Sequence, residues 1–309
     1  MMLAVIALLA ALTPCFAENY PEAGQALPWT GLEAGARAGG MAGALCADSA
    51  DAFALFRNPA GMSGGSGFRG AVSHTAFVLG IRAEDFAADR SVAEGRIGIA
   101  IRYVDLGHET QRTIFGIEGP VFGATGLSAA LGYARAGLFA GRVRAGAAVK
   151  LLSADTFYSN QATGAVDAGL IAGFLRGDAG DEPVRLGVSV MDLGPGIGAA
   201  GLATRLRLGG AASTVKNAGR GDGVTGALDL EFSLQGTASL HAGAEYAFGG
   251  FAFGRVGYAR SLWSEGAGGF CAGAGLRAGG FQLDYSYSAV GNLGGAHRVG
   301  VTYARLPVP

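Results

Sequence analysis

Phe281-Gln282-Leu283-Asp284-Tyr285-Ser286-Tyr287-Ser288 decides the fold. Its odd positions are large and apolar, and its even positions are polar. Successive side chains of a β-strand point to opposite faces, so this stretch reads as a strand with one greasy side and one polar side. The same rule runs upstream. Leu240, Ala242, Ala244, Tyr246 and Phe248 alternate with His241 and Glu245. Leu228, Leu230 and Phe232 oppose Asp229 and Glu231, and Val184, Leu186, Val188 and Val190 oppose Arg185 and Ser189. Val299, Val301 and Tyr303 end the series.

From Gly67 to Arg305 one pattern recurs: roughly ten alternating residues, then a turn rich in Gly, Asp, Asn or Ser. The strands are expected at 68–74, 77–89, 95–105, 122–136, 141–152, 162–175, 184–192, 203–214, 224–232, 239–248, 252–260, 269–277, 280–288 and 296–304, about fourteen in all. Single-chain bacterial barrels have an even number. Hairpin turns are expected at Gly249-Gly250, at Gly279-Gly280 and around Asp222-Gly223. Segment 105–118 reads as an excursion or an extracellular loop.

A soluble barrel would turn the apolar faces inward; a membrane barrel turns them to lipid. The polar faces carry Arg102, Arg185, Arg207, Asp229, Glu231, Glu245 and Asp284, too many charges for a dry core. A hydrated or stoppered lumen accommodates them. The expected fold is therefore an all-β transmembrane barrel of antiparallel strands, with an N-terminal plug containing short helices.

Composition agrees. Charged residues make up 15 %, against ~25 % in soluble domains. Glycine numbers 56, well above the usual ~7 %, without a collagen repeat. Glycine strips side chains where strands bend or where a plug lies against the wall. Beyond residue 17 the longest uncharged stretch, Pro120 to Ala134, is too short for a spanning helix, which needs ~20 apolar residues. An apolar chain without such helices crosses lipid by closing a barrel. Net charge is −1 and no basic run exists, so nucleic acid is not an expected partner.

Met1 to Ala17 reads as a secretory signal cut before Glu18; Pro14 disfavours lipoprotein processing at Cys15. Residues 18–66 form an N-terminal extension and plug, and 67–309 the barrel. Cys46 and Cys271 then remain, as small buried hydrophobes or as a pair.

The plug stretch runs Gly35-Ala-Arg37-Ala-Gly-Gly40-Met41-Ala-Gly43 to Asn58-Pro59-Ala60-Gly61-Met62. It carries no catalytic group. Asp48 and Asp51 suit an ion pair with Arg37 better than a cation site. Pro59 lacks a backbone donor and biases Asn58 to extended geometry, a kink that ends a short helix, while Ala60 and Gly61 permit close packing. Gly40, Met41, Phe53 and Phe56 complete the candidate plug and ligand-binding residues.

Other motifs read blandly. Gly221-Asp-Gly223-Val-Thr-Gly226 precedes an alternating segment, not a helix, so it is a turn rather than a dinucleotide site. Arg220-Gly221-Asp222 is the adhesion tripeptide, and in a loop it reads more as chance than as an adhesion site. His74, His108, His241 and His297 have no metal spacing, and no Ser/His or paired-acid constellation supports an enzyme. No cofactor or metal is expected. Tyr246, Phe248, Phe251, Phe253, Tyr258, Tyr285 and Tyr287 suit interfacial girdles.

The plug stretch resembles the N-terminal signature of FadL-like outer-membrane proteins, in the PorV/PorQ-like branch that includes spirochaetal paralogues. Asp167-Ala-Gly169-Leu170, Leu186-Gly187-x-Ser189-x-Met191-x-Leu193-Gly194, Gly243-x-Glu245-Tyr246, Arg255-x-Gly257-Tyr258 and Asp284-Tyr285-Ser286-Tyr287 extend the resemblance over nearly the whole mature chain. The resemblance implies a fourteen-stranded barrel with Asn58-Pro59-Ala60 in a hatch inside it. It implies an outer-membrane channel for small hydrophobic molecules such as long-chain fatty acids. It also implies membrane lipid and the barrel-assembly machinery as partners. The alternatives are a PorV-like scaffold for exported surface proteins and a permanently plugged structural or adhesive barrel.

Overall fold

The computed structural model describes residues 26–65, 67–156, 159–174, 183–198, 200–217, 221–234, 236–262, 268–289 and 294–305. The expected signal at 1–17 lies outside them. Fourteen antiparallel strands close into one barrel. They are β1 (Phe68–Ala76), β2 (Arg82–Val92), β3 (Gly95–Arg112), β4 (Glu118–Gly137), β5 (Val143–Thr156), β6 (Ser159–Gly173), β7 (Val184–Leu193), β8 (Arg205–Asn217), β9 (Asp222–Ser233), β10 (Ala238–Phe248), β11 (Ala252–Ser261), β12 (Gly268–Ala278), β13 (Phe281–Ala289) and β14 (Gly295–Arg305). Each pairs with its neighbours in sequence, and β1 pairs with β14 from Phe68↔Arg305 to Ala76↔His297. Closure leaves no sheet edge exposed to lipid.

The faces are as the alternation requires. Leu283, Tyr285 and Val301 point outward at 53 %, 45 % and 38 % exposure, while Asp284 between the first two is 5 % exposed. Arg102, Arg207, Asp229 and Arg255 are buried on the inner face.

One rim holds the start of β1 and the end of β14, with tight turns at Gly249-Gly250 and Gly279-Gly280, where φ is +60°, +67° and +58° for Gly249, Gly250 and Gly279. We call it the proximal rim. The opposite, distal rim carries the longest excursion: β3 and β4 continue as a paired hairpin to Arg112↔Glu118 through two bulges. Short turns mark the periplasmic side of such barrels and longer loops the outer side. Segment 105–118 is thus mostly paired strand. The turn expected around Asp222-Gly223 lies just before that pair: β8 ends at Asn217, Gly221 turns at φ +70°, and β9 begins at Asp222, opposite Asn217. Asp222 is buried and its Oδ1 accepts from Gly249 N at 2.8 Å, tying the strand end to the next hairpin.

Residues 26–65 fill the lumen. They form a 3-10 turn at Pro28–Gly31, a five-residue helix α1 (Ala36–Gly40), and 3-10 turns at Ala52–Phe56 and Pro59–Ser63. Gly43 at φ +80° follows α1 and donates back to Ala38 O at 2.8 Å, which stops the helix. Asp51 and Asn58 cap the last two turns through Phe53 N and Ala60 N at 2.9 and 3.1 Å. Asn58 therefore starts a turn, with Pro59 in the first position where no donor is needed. No described helix is long and apolar enough to cross a membrane.

Candidate functional site

The occupied lumen is the candidate site. Three layers position the lumenal segment, from distal rim to proximal rim.

The distal layer is apolar. Leu27 and Trp29 pack with Val104, Leu152, Ala165 and Leu202. Ala26 N donates to Gly201 O at 2.8 Å, so the β7–β8 connection folds in over the chain. The Trp29 ring takes the space that a Cβ at Gly126 would need. Beneath it, Arg102 donates from Nη1 to Leu32 O and from Nε to Asp85 Oδ1, both at 2.6 Å.

The middle layer is close backbone packing. Asn58 Nδ2 donates to Cys46 O at 2.9 Å and to Leu170 O and Val188 O at 3.3 Å each. Leu170 and Val188 are cross-strand partners, so one amide spans the β6–β7 seam. Pro59 and Ala60 lie on Gly146, and the Met41–Ala42 backbone lies on Gly243 and Gly257; a Cβ at Gly257 would sit 2.6 Å from Met41 C. Phe53, Leu55 and Met62 pack on the small wall residues Ala71, Ala87, Ala100 and Ala130, and Phe56 packs against that cluster with Arg102 4.8 Å above its ring.

The proximal layer is charged. Arg37 makes a bidentate pair with Glu245 at 3.1 Å twice, and pairs with Asp48 at 2.5 Å and Asp51 at 3.5 Å. Arg185 holds the other Asp48 oxygen at 2.7 Å, and Arg57 holds Asp51 at 2.5 and 2.6 Å. Arg255 joins Glu245 to Asp284 at 2.5 and 2.6 Å. Burial disfavours the Arg37 charge, but Glu245, Asp48 and Asp51 more than offset it and hold the guanidinium charged far above its ordinary range. Higher up, Arg207 Nη2 reaches Glu33 and Nη1 reaches Gly43 O, each at 3.0 Å. Buried ion pairs add little net stability, but removing one partner strands the other, so this network fixes position more than it adds strength.

The structure brings every candidate plug residue into this lumen. Arg37, Asp48 and Asp51 meet in one ion cluster; Asn58, Pro59 and Ala60 meet the β5–β7 wall; Gly40 lies against Gly273, with Gly273 Cα 3.1 Å from where its Cβ would be. Gly61 leaves room for Ser49. Trp29, Glu33 and Arg57 were not among those candidates. Their partners Gly126, Arg207 and the Ala34 carbonyl are set by the fold, and no local motif announces them. Phe253 faces inward, not to an interfacial girdle: it shares parity with Arg255, and Arg255 and Arg277 lie over its ring. Cys46 and Cys271 are buried, free thiols. Among the described residues, no group of three or more His, Cys, Asp or Glu could hold a metal.

No protein-family profile and no curated protein matches the sequence. Solved structures do match in fold. The toluene transporter TodX of Pseudomonas putida is 11 % identical, with a TM-score of 0.62 over 89 % of this chain and 99 % of that one. The toluene transporter TbuX of Ralstonia pickettii is 12 % identical, with a TM-score of 0.57 over 87 % and 96 %. A FadL homologue of Pseudomonas aeruginosa is 11 % identical, with a TM-score of 0.56 over 87 % and 97 %. The closed fourteen-stranded barrel shares its fold with these structures.

Proposed function

We propose that the barrel is a passive outer-membrane channel for small hydrophobic molecules, closed by residues 26–65. The observation that carries this reading is the apolar distal seal, in which Leu27 and Trp29 pack against Val104, Leu152 and Leu202. A hydrophobic solute partitions into such a cluster by the same burial that holds Trp29 there. Displacing Trp29 from Gly126 frees the upper lumen. The ion cluster around Arg37, Asp48 and Asp51 and the seam held by Asn58 then set how far the segment moves. Export under the signal at 1–17, cleavage before Glu18 and assembly by the barrel machinery belong to this reading. Long-chain fatty acids are the finer substrate proposal, and the likeness to toluene transporters supports testing toluene beside them. The test is uptake of labelled toluene and a labelled long-chain fatty acid into liposomes that hold the purified protein. Uptake above that of empty liposomes supports the channel; equal uptake removes it.

A second reading, a scaffold for exported proteins, draws on the tip of the β3–β4 hairpin. Ile114 and Phe115 there are 94 % and 83 % exposed. Pull-down of an exported partner that is lost on Ile114→Ser and Phe115→Ser, with no solute uptake, would favour it.

A further inference from the structure

A cavity of about 450 Å³ lies at the proximal rim beneath the lumenal segment, lined by five arginines against four carboxylates. The carboxylates are committed: Glu245 to Arg37 and Arg255, Asp284 to Arg255, and Asp48 and Asp51 to Arg37, Arg185 and Arg57. Arg277 is left with an amide. Its Nε and Nη2 both close on one oxygen, Gln282 Oε1, at 2.9 and 2.5 Å. A guanidinium fork matches the two oxygens of a carboxylate, so a single neutral oxygen under-uses it. A second guanidinium is also incomplete. Arg255 is 3 % exposed, lines the same cavity, and its Nη2 has no hydrogen-bond partner among the described residues. Both guanidiniums lie over the Phe253 ring, Arg255 at 5.5 Å and Arg277 at 4.6 Å. The rest of the lining includes Phe53 and several alanines and glycines, an apolar surface beside the two cations.

We propose that this vestibule binds the carboxylate of a small amphiphile, its oxygens taken by the Arg277 fork with the buried Arg255 guanidinium adding positive charge behind it, and its apolar body resting among Phe53, Phe253 and the small side chains. The ligand carboxylate displaces Gln282 from the Arg277 fork. Gln282 also donates to both oxygens of Asp284, at 3.0 and 2.8 Å, and Asp284 holds Arg255. Binding at the rim therefore reaches, through Arg255 and Glu245, the same carboxylate that holds Arg37 of the lumenal segment. This goes beyond the channel reading, since it concerns binding and not flux.

The probe is labelled benzoate, measured by equilibrium dialysis against the full chain in nanodiscs at low ionic strength, with empty nanodiscs subtracted. Toluene serves as the neutral comparator. Saturable benzoate binding is expected. Arg277→Gln should weaken it about tenfold, the size of one lost charge-assisted hydrogen bond. Gln282→Glu should weaken it at least as much by placing a tethered carboxylate in the fork while every cation stays. Toluene binding should not change in either variant, and heat-modifiable migration on gels verifies that each is folded. Equal benzoate binding in all three proteins, or none above empty nanodiscs, would overturn the proposal. Displacement by equimolar inorganic phosphate would overturn the assignment to carboxylates.

Discussion

Asn58 Oδ1 occupies the space that a Cβ would need at Gly169. A residue of the lumenal segment and a residue of β6 are thus fitted to each other across the wall, and neither tolerates change alone. Gly169→Ala forces overpacking, which costs about 1–3 kcal/mol. Asn58→Ala abandons its bonds to Cys46 O, Leu170 O and Val188 O and costs about as much. The double variant should cost less than the sum, because truncating Asn58 makes room at 169. A double-mutant cycle by urea unfolding from vesicles reads the coupling; strict additivity would show that the two do not touch.

Trp29 seals the distal rim, so its loss should loosen that seal rather than unfold the barrel. Trp29→Ala removes a buried aromatic worth about 3–5 kcal/mol of packing, while all fourteen strands keep their ladders. Planar-bilayer conductance should rise in Trp29→Ala and stay near the parent value in Trp29→Phe. Unchanged conductance in Trp29→Ala would place the seal elsewhere.

Glu33 gives the lumenal segment an acid dependence. Burial pushes its carboxyl up, but Arg207 and then Arg57 more than offset this and hold it below the ordinary glutamate value. A depressed folded pKa supplies stability that is present above the unfolded value and lost as pH falls through the folded one. Unfolding measured from about pH 7 down to about pH 3 should steepen at the acid end in the parent and less in Glu33→Gln. Identical slopes would mean that the Glu33–Arg207 contact does not persist in the membrane.

Cys46 reports whether the segment stays seated. Burial, with Asp229 adding to it, pushes its thiol up to about 12. At about pH 8, near the ordinary thiol value of ~8.5, the folded protein should resist maleimide. The stabilising protonation is lost as pH rises past that value toward the folded one, so labelling should appear only in strong alkali or urea. Rapid labelling at neutral pH would show that the segment leaves the lumen spontaneously.

The strands were legible because period-two alternation survives wherever one face is apolar and turned outward and the other is polar and turned to the occupied lumen. Leu283-Asp284-Tyr285 shows this directly. The same signal failed at the rims. Nothing between 105 and 118 distinguishes a paired hairpin from a loop, and the turn chemistry of Asp222-Gly223 marks the β8–β9 hairpin only to within a residue or two. Phe253 was misread by residue type, although its parity with Arg255 placed it inside. The lumenal segment stands out in the sequence as an Ala- and Gly-rich stretch, and the Arg37–Asp48–Asp51 cluster follows its charges. Its wall contacts were not, because their partners are glycines such as Gly126, Gly169 and Gly257, which carry no side-chain signature.

The central claim is that residues 26–65 must move for a solute to pass, and a tether across the Asn58–Gly169 contact tests it most directly. A Cβ at 169 would lie 2.8 Å from Asn58 Cγ. The two Cβ atoms would then be at most roughly 4.3 Å apart, no farther than a disulfide spans. Asn58→Cys and Gly169→Cys, made with Cys46→Ser and Cys271→Ser, give a bond that forms and breaks at will. Oxidised liposomes should take up no more labelled toluene than empty ones, and reductant should restore uptake. Equal uptake in the oxidised and reduced states, well above empty liposomes, would contradict the account.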